Sequence, residues 1–131
     1  MIRSLGVATA AVALAFGATA VAGAEPSPAA CSYTLSPPHV VQVSGTDMVT
    51  ATLSTAGCDQ SNTYMSVACI QVQGGQGPGQ CAQGDGLVTA QVYFGPYRPG
   101  ATYVSTGRGC AAKGNPPRPF CESSGPLTAT L

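Results

Sequence analysis

The sequence has no tryptophan, one histidine and little charge, with acidic and basic side chains making up 8% of its 131 residues. Each scarcity removes a class of chemistry. A hydrolytic triad needs a base beside its nucleophile. The lone His39 lies two residues from Val41, on one face of a strand candidate, and reads as structural or surface. No serine occupies a G-x-S-x-G elbow, since Tyr103 stands where Ser105 would need the first glycine. C-x-x-C and H-E-x-x-H spacings are absent, so no metal site is expected. The acidic residues Glu25, Asp47, Asp59, Asp85 and Glu122 are scattered, which excludes a visible carboxylate pair or EF-hand loop. Beyond Arg3 at the N-terminus, the basic residues Arg98, Arg108, Lys113 and Arg118 form no stripe for nucleic acid or anionic lipid. Asn62 and Asn115 do not begin glycosylation sequons. The expectation is a protein that is not an enzyme, with no cofactor, no metal and no nucleic-acid partner.

The N-terminus has a processing signature. Met1-Ile2-Arg3 gives a positive start, Leu5 to Val21 is almost wholly apolar, and Ala22-Gly23-Ala24 offers small residues for cleavage. That layout predicts a secretory signal peptide over 1–24. A lipidated Cys31 is the weaker alternative, because Pro28 stands where a lipobox needs a branched apolar residue. No later run approaches the ~18 to 20 apolar residues that span a bilayer. Removing residues 1–24 leaves 107, enough for one domain. Glu25 to Ala30 reads as an extended lead-in, and 31–131 as a single domain.

All six cysteines (Cys31, Cys58, Cys69, Cys81, Cys110 and Cys121) fall in the exported part. An even count in a small exported chain reads as a disulfide framework and an extracellular or cell-envelope location.

Period two dominates the rest. Val49-Thr50-Ala51-Thr52-Leu53, Val88 to Phe94 and Leu127 to Leu131 alternate apolar and polar residues, the mark of half-buried strands. Further candidates are 32–35, 39–43, 63–73, 81–83 and 101–108, separated by Gly, Pro, Asn and Ser turns. The fold class is therefore all-β: an antiparallel sandwich of seven to eight short strands with three disulfides. On that frame the cysteines pair sequentially, 31–58, 69–81 and 110–121, each joining neighbouring strands. Chain-entropy reasoning gives roughly 3 kcal/mol for each short loop and about 3.5 for the long one. A core of Val, Ala, Tyr and Met is thin, so these links are expected to carry much of the stability.

Two surface segments stand out. The run Gly74-Gly75-Gln76-Gly77-Pro78-Gly79-Gln80 fails the dinucleotide pattern and the P-loop pattern at Gln80. It reads as the tip of a hairpin tied by Cys69–Cys81. The segment holding Tyr93, Phe94, Tyr97 and Arg98 has a composition enriched in binding hot spots and is the candidate binding surface. The alternative is that Phe94 and Tyr97 only cap the core. The stapled loops 70–80 and 111–120 are further places for recognition.

Arg98-Pro99-Gly100-Ala101-Thr102-Tyr103 is similar to the corner that opens the penultimate strand of fibronectin type III and other immunoglobulin-like domains. That resemblance implies an immunoglobulin-like sandwich in which Tyr103 hydrogen-bonds to backbone. With its Cys-Ser-Tyr-Thr-Leu opening, PYRPGATY segment and six cysteines, the chain resembles small exported proteins of mycobacteria and related actinobacteria. In architecture it also resembles the enediyne chromoprotein apoproteins, which hold an apolar ligand in a cleft. Two functions follow as expectations. One is a secreted interaction module, expected as a monomer, that binds a protein or glycan at the cell envelope. The other is a carrier of an apolar small molecule.

Overall fold

A computed structural model describes residues 30–131. The expected signal peptide and residues 25–29 of the lead-in lie outside the described residues.

Eight strands follow one another: β1 (Cys31–Leu35), β2 (His39–Val43), β3 (Thr46–Cys58), β4 (Ser61–Val72), β5 (Gln80–Asp85), β6 (Ala90–Phe94), β7 (Thr102–Lys113) and β8 (Arg118–Thr130). They form two antiparallel sheets. In the first, β3 is central, paired with β1, β2 and β6. β1 and β2 share one edge of β3, Leu35 facing Leu53 and His39 facing Thr50. Pro37-Pro38 breaks this edge because proline cannot donate to the ladder. Ser36 bridges the break: its N–H donates to the Thr52 carbonyl at 2.9 Å, and its hydroxyl accepts from the Thr52 N–H at 2.9 Å. The second sheet runs in the order β5-β4-β7-β8.

The sheets pack through their inner faces. Val49, Ala51 and Leu53 of β3 and Ala90 and Val92 of β6 meet Ala68 and Ile70 of β4 and Tyr103 of β7. The inner face of β7 reads Tyr103, Ser105, Gly107, Gly109, Ala111, and two of its small residues are space requirements. A Cβ on Gly107 would lie 2.7 Å from Leu53, and one on Gly109 would lie 2.2 Å from the Tyr33 ring. Sheet one brings its large side chains down onto glycine in sheet two.

All three expected disulfides are present: Cys31–Cys58, Cys69–Cys81 and Cys110–Cys121. Each joins residues directly opposite on adjacent strands, with Cα atoms 4.0–4.1 Å apart. Such close approach marks the narrow, non-hydrogen-bonded kind of antiparallel pair. No disulfide links the two sheets; apolar packing joins them, together with hydroxyl hydrogen bonds from Thr55 to Thr63 at 3.0 Å and from Thr63 to Tyr33 at 3.3 Å. The three oxidised pairs fit an oxidising compartment.

The same register explains two prolines of the edge strand β8. Residues of a narrow pair point their backbone groups away from that partner. Cys121 is such a residue, so Pro119, two positions earlier, would aim an N–H at the free edge. Beyond the bulge, Pro126 shares the phase of Thr128 and Thr130, which alternate with Leu127 and Ala129. Both prolines remove donors that an incoming strand would need.

Several expectations need correction. The strands are not all short: β3 and β8 have 13 residues, β4 and β7 have 12. β3 continues past Leu53 through Cys58 because β1 supplies a ladder partner there. β7 continues past Arg108 because β4 and β8 supply ladder partners on both sides and Gly109 is a core position against Tyr33. The expected strand at Val88 starts at Ala90, leaving Leu87 and Val88 71% and 65% exposed. Among the described residues no methionine is in the buried core, whose largest aliphatics are Leu53 and Ile70.

Candidate functional site

At one end of the sandwich two loops face each other: residues 73–79 between β4 and β5, and residues 95–101 between β6 and β7. The first is the glycine hairpin. The Cys69–Cys81 link ties its strands, and Cys69 faces Cys81 in the ladder. Its tip turns through positive φ at Gly74, Gly77 and Gly79. Gly79 has a second reason to be glycine, because a Cβ there would sit 2.3 Å from the Ile70 carbonyl oxygen. The Gln71 side-chain amide donates to the Pro78 carbonyl at 3.3 Å and the Gly75 N–H to the Val72 carbonyl at 3.0 Å.

The second loop is anchored from beneath. Tyr103 is fully buried, and its hydroxyl accepts from the Arg98 N–H at 2.9 Å. This is the backbone bond expected of a corner tyrosine. The Tyr97 N–H donates to the Asp47 carbonyl at 3.2 Å. Phe94 meets Tyr103 edge-on with ring centroids 6.0 Å apart, and Tyr97 lies 6.5 Å from Tyr103 on a tilt. Three aromatic rings thus cap the core under the loop.

Between the loops lies a groove of about 400 Å³. Val72, Phe94 and Pro96 give it an apolar side; Gln76, Gln80 and Arg98 give it polar groups. Gly75, Gly77, Gly79 and Gly95 line it without side chains. The groove size falls in the range of small-ligand sites, about 300–1,000 Å³.

The four candidate surface residues do not form one patch. Phe94 and Arg98 line the groove. Tyr97 is half-buried against the core cluster. Tyr93 alternates with Val92 and Phe94 on β6, so it faces the outer side of the first sheet, 43% exposed. Gln76 and Gln80 lie in the loop 70–80 expected to serve recognition but were not named as binding residues; polar residues among glycines give no individual signal until the hairpin closes beside Phe94. The expected long loop 111–120 is only residues 114–117, at the opposite end, because β7 and β8 extend into it.

The other chemically capable side chains are accounted for. His39 is exposed, with Nδ1 3.2 Å from the Pro37 carbonyl. Ser105 is buried and donates to the Ser36 carbonyl at 2.9 Å. Among the described residues, no group of three or more His, Cys, Asp or Glu could hold a metal ion. No helix among them is long and apolar enough to cross a membrane. Compared with protein-family models, curated proteins and solved structures, the chain finds no match.

Proposed function

We propose that this chain is an exported, non-enzymatic binding module of the cell envelope or extracellular space, built on an immunoglobulin-like sandwich. The observation that carries the reading is the groove between the glycine hairpin and the 95–101 loop. Two segments 14 residues apart, Gln80 and Phe94 at their near ends, converge there on a stapled and anchored frame. A frame fixed in advance lowers the ordering cost of binding. No residue lining the groove is a carboxylate, histidine, serine or cysteine, which favours binding over catalysis. The immunoglobulin-like reading is supported by the Tyr103 corner on the penultimate strand. Counting β1 and β2 as one broken edge, three strands face four, with β5 kept beside β4.

The carrier reading has less support. Leu53, Ile70 and Tyr103 are fully buried and occupy the interior between the sheets, the place where a carrier would need an apolar cleft. Native mass spectrometry of protein purified from its own culture medium tests this directly, and a co-purifying apolar small molecule would restore the carrier. The binding reading is tested by amide NMR of the 25–131 protein titrated with glycan and peptide panels. Shifts should gather at Gln76, Gln80, Phe94 and Arg98. Shifts gathered at residues 114–117 or along β8 would overturn the groove as the site.

A further inference from the structure

The groove has one formal charge in its lining, Arg98, and no acidic side chain to neutralise it. We infer that it takes a saccharide bearing a carboxylate, an inference that rests on the groove being the binding site. Three features define that chemistry. A guanidinium is a planar fork that matches a carboxylate with two parallel hydrogen bonds. The amides of Gln76 and Gln80 each donate and accept, as do the neighbouring hydroxyls of a sugar ring. Phe94, held edge-on against buried Tyr103, supplies an apolar wall for the C–H face of such a ring.

The glycines complete the fit. Gly75, Gly77, Gly79 and Gly95 keep the walls low, which suits a ring lying across the groove. A peptide ligand would want pockets for alternate side chains, as strand-adding peptides do. Beneath this groove the space is already filled by Ile70 and Tyr103, both fully buried. The Cys69–Cys81 staple and the Arg98 backbone bond fix the backbone from which these polar side chains reach into the groove.

The test is a calorimetric and amide-NMR titration of the disulfide-intact 25–131 protein. The probes are tetragalacturonate, neutral maltotetraose, and tri-alanine with a free or amidated C-terminus. Tetragalacturonate should bind, with shifts at Gln76, Gln80, Phe94 and Arg98. Maltotetraose should bind about tenfold more weakly or worse, since a charge-assisted pair is worth about 1.5–3 kcal/mol. Arg98→Gln should weaken tetragalacturonate to a similar degree. Its backbone N–H to Tyr103 is retained, so an unchanged melting temperature will show an intact fold. Tyr93→Ala, on the outer side of the sheet, should bind as the parent does. No binding of tetragalacturonate overturns the inference. Equal binding of the neutral sugar, or indifference to Arg98→Gln, overturns the carboxylate while leaving the groove reading intact. Groove shifts with free-carboxylate tri-alanine and none with either sugar overturn the saccharide. Shifts away from the groove overturn both readings.

Discussion

Gly109→Ala tests the packing logic of the two sheets at one atom. The added Cβ would lie 2.2, 2.3 and 2.5 Å from three ring atoms of Tyr33, where ordinary contact begins near 3.4 Å. The ring must therefore move by more than 1 Å. It is half-buried against both core clusters, and its hydroxyl accepts from the buried Thr63 hydroxyl at 3.3 Å. Overpacking costs about 1–3 kcal/mol, and loss of a modest hydrogen bond about 1 kcal/mol. The expected destabilisation is about 2–4 kcal/mol. With an unfolding entropy of about 2.1 cal/mol/K per residue over roughly 100 residues, the melting temperature should fall by about 10–19 °C. Calorimetry and urea unfolding on the oxidised protein measure it. In a Tyr33→Ala background the space is open, so the same substitution should cost about nothing, giving a coupling energy above about 1.5 kcal/mol. A Gly109→Ala protein melting within about 3 °C of the parent would refute the reasoning, as would an equal cost in both backgrounds.

Tyr103→Phe removes the acceptor of the Arg98 N–H and should cost about 1–2 kcal/mol. Amide exchange should quicken at Arg98 and change little along β3; equal protection in both proteins would show that the hydroxyl does not anchor the loop. Gly79→Ala places a Cβ 2.3 Å from the Ile70 carbonyl oxygen at a positive φ of 74°, so the hairpin must distort. Its amide spectrum should change at Gln76 and Gln80, and an unperturbed hairpin would contradict the geometry. Replacing Cys69 and Cys81 together by serine should lower stability by about 3 kcal/mol in urea unfolding. A fully reduced parent that melted with the oxidised one would refute the weight given to all three links.

Much of the frame was legible because strands announce themselves by alternation. Val49 to Leu53 shows its buried face in the sequence, and Val49, Ala51 and Leu53 are fully buried. The sequential disulfides were legible because each joins strands that are neighbours along the chain and opposite in the ladder. The Arg98 to Tyr103 corner was legible because a Pro-Gly turn before Thr-Tyr has a local geometry. Strand ends were not legible. Ser54-Thr55-Ala56-Gly57 has no apolar rhythm and is a strand only because β1 lies beside it. The expected strand stopped at Arg108, and nothing local showed that Gly107 and Gly109 are core positions, because the Leu53 and Tyr33 side chains they accommodate are more than 50 residues away.

The candidate site divides in the same way. The amino-acid sequence by itself determined that the chain lacks triad and metal-site patterns, that its six cysteines are an even set spaced for a framework, and that the glycine run matches no phosphate-binding pattern. These follow from composition and spacing, which no fold can alter. Only the tertiary structure decided that the two segments meet. It also placed Tyr93 on the other side of the sheet, and it brought Gln76 and Gln80 opposite Arg98. The physical reason is that the segments belong to different sheets: β4–β5 to one, β6 to the other. Their meeting depends on how the sheets pack, which rests on contacts between distant residues, such as Leu53 over Gly107 and Tyr33 over Gly109, rather than on any local pattern.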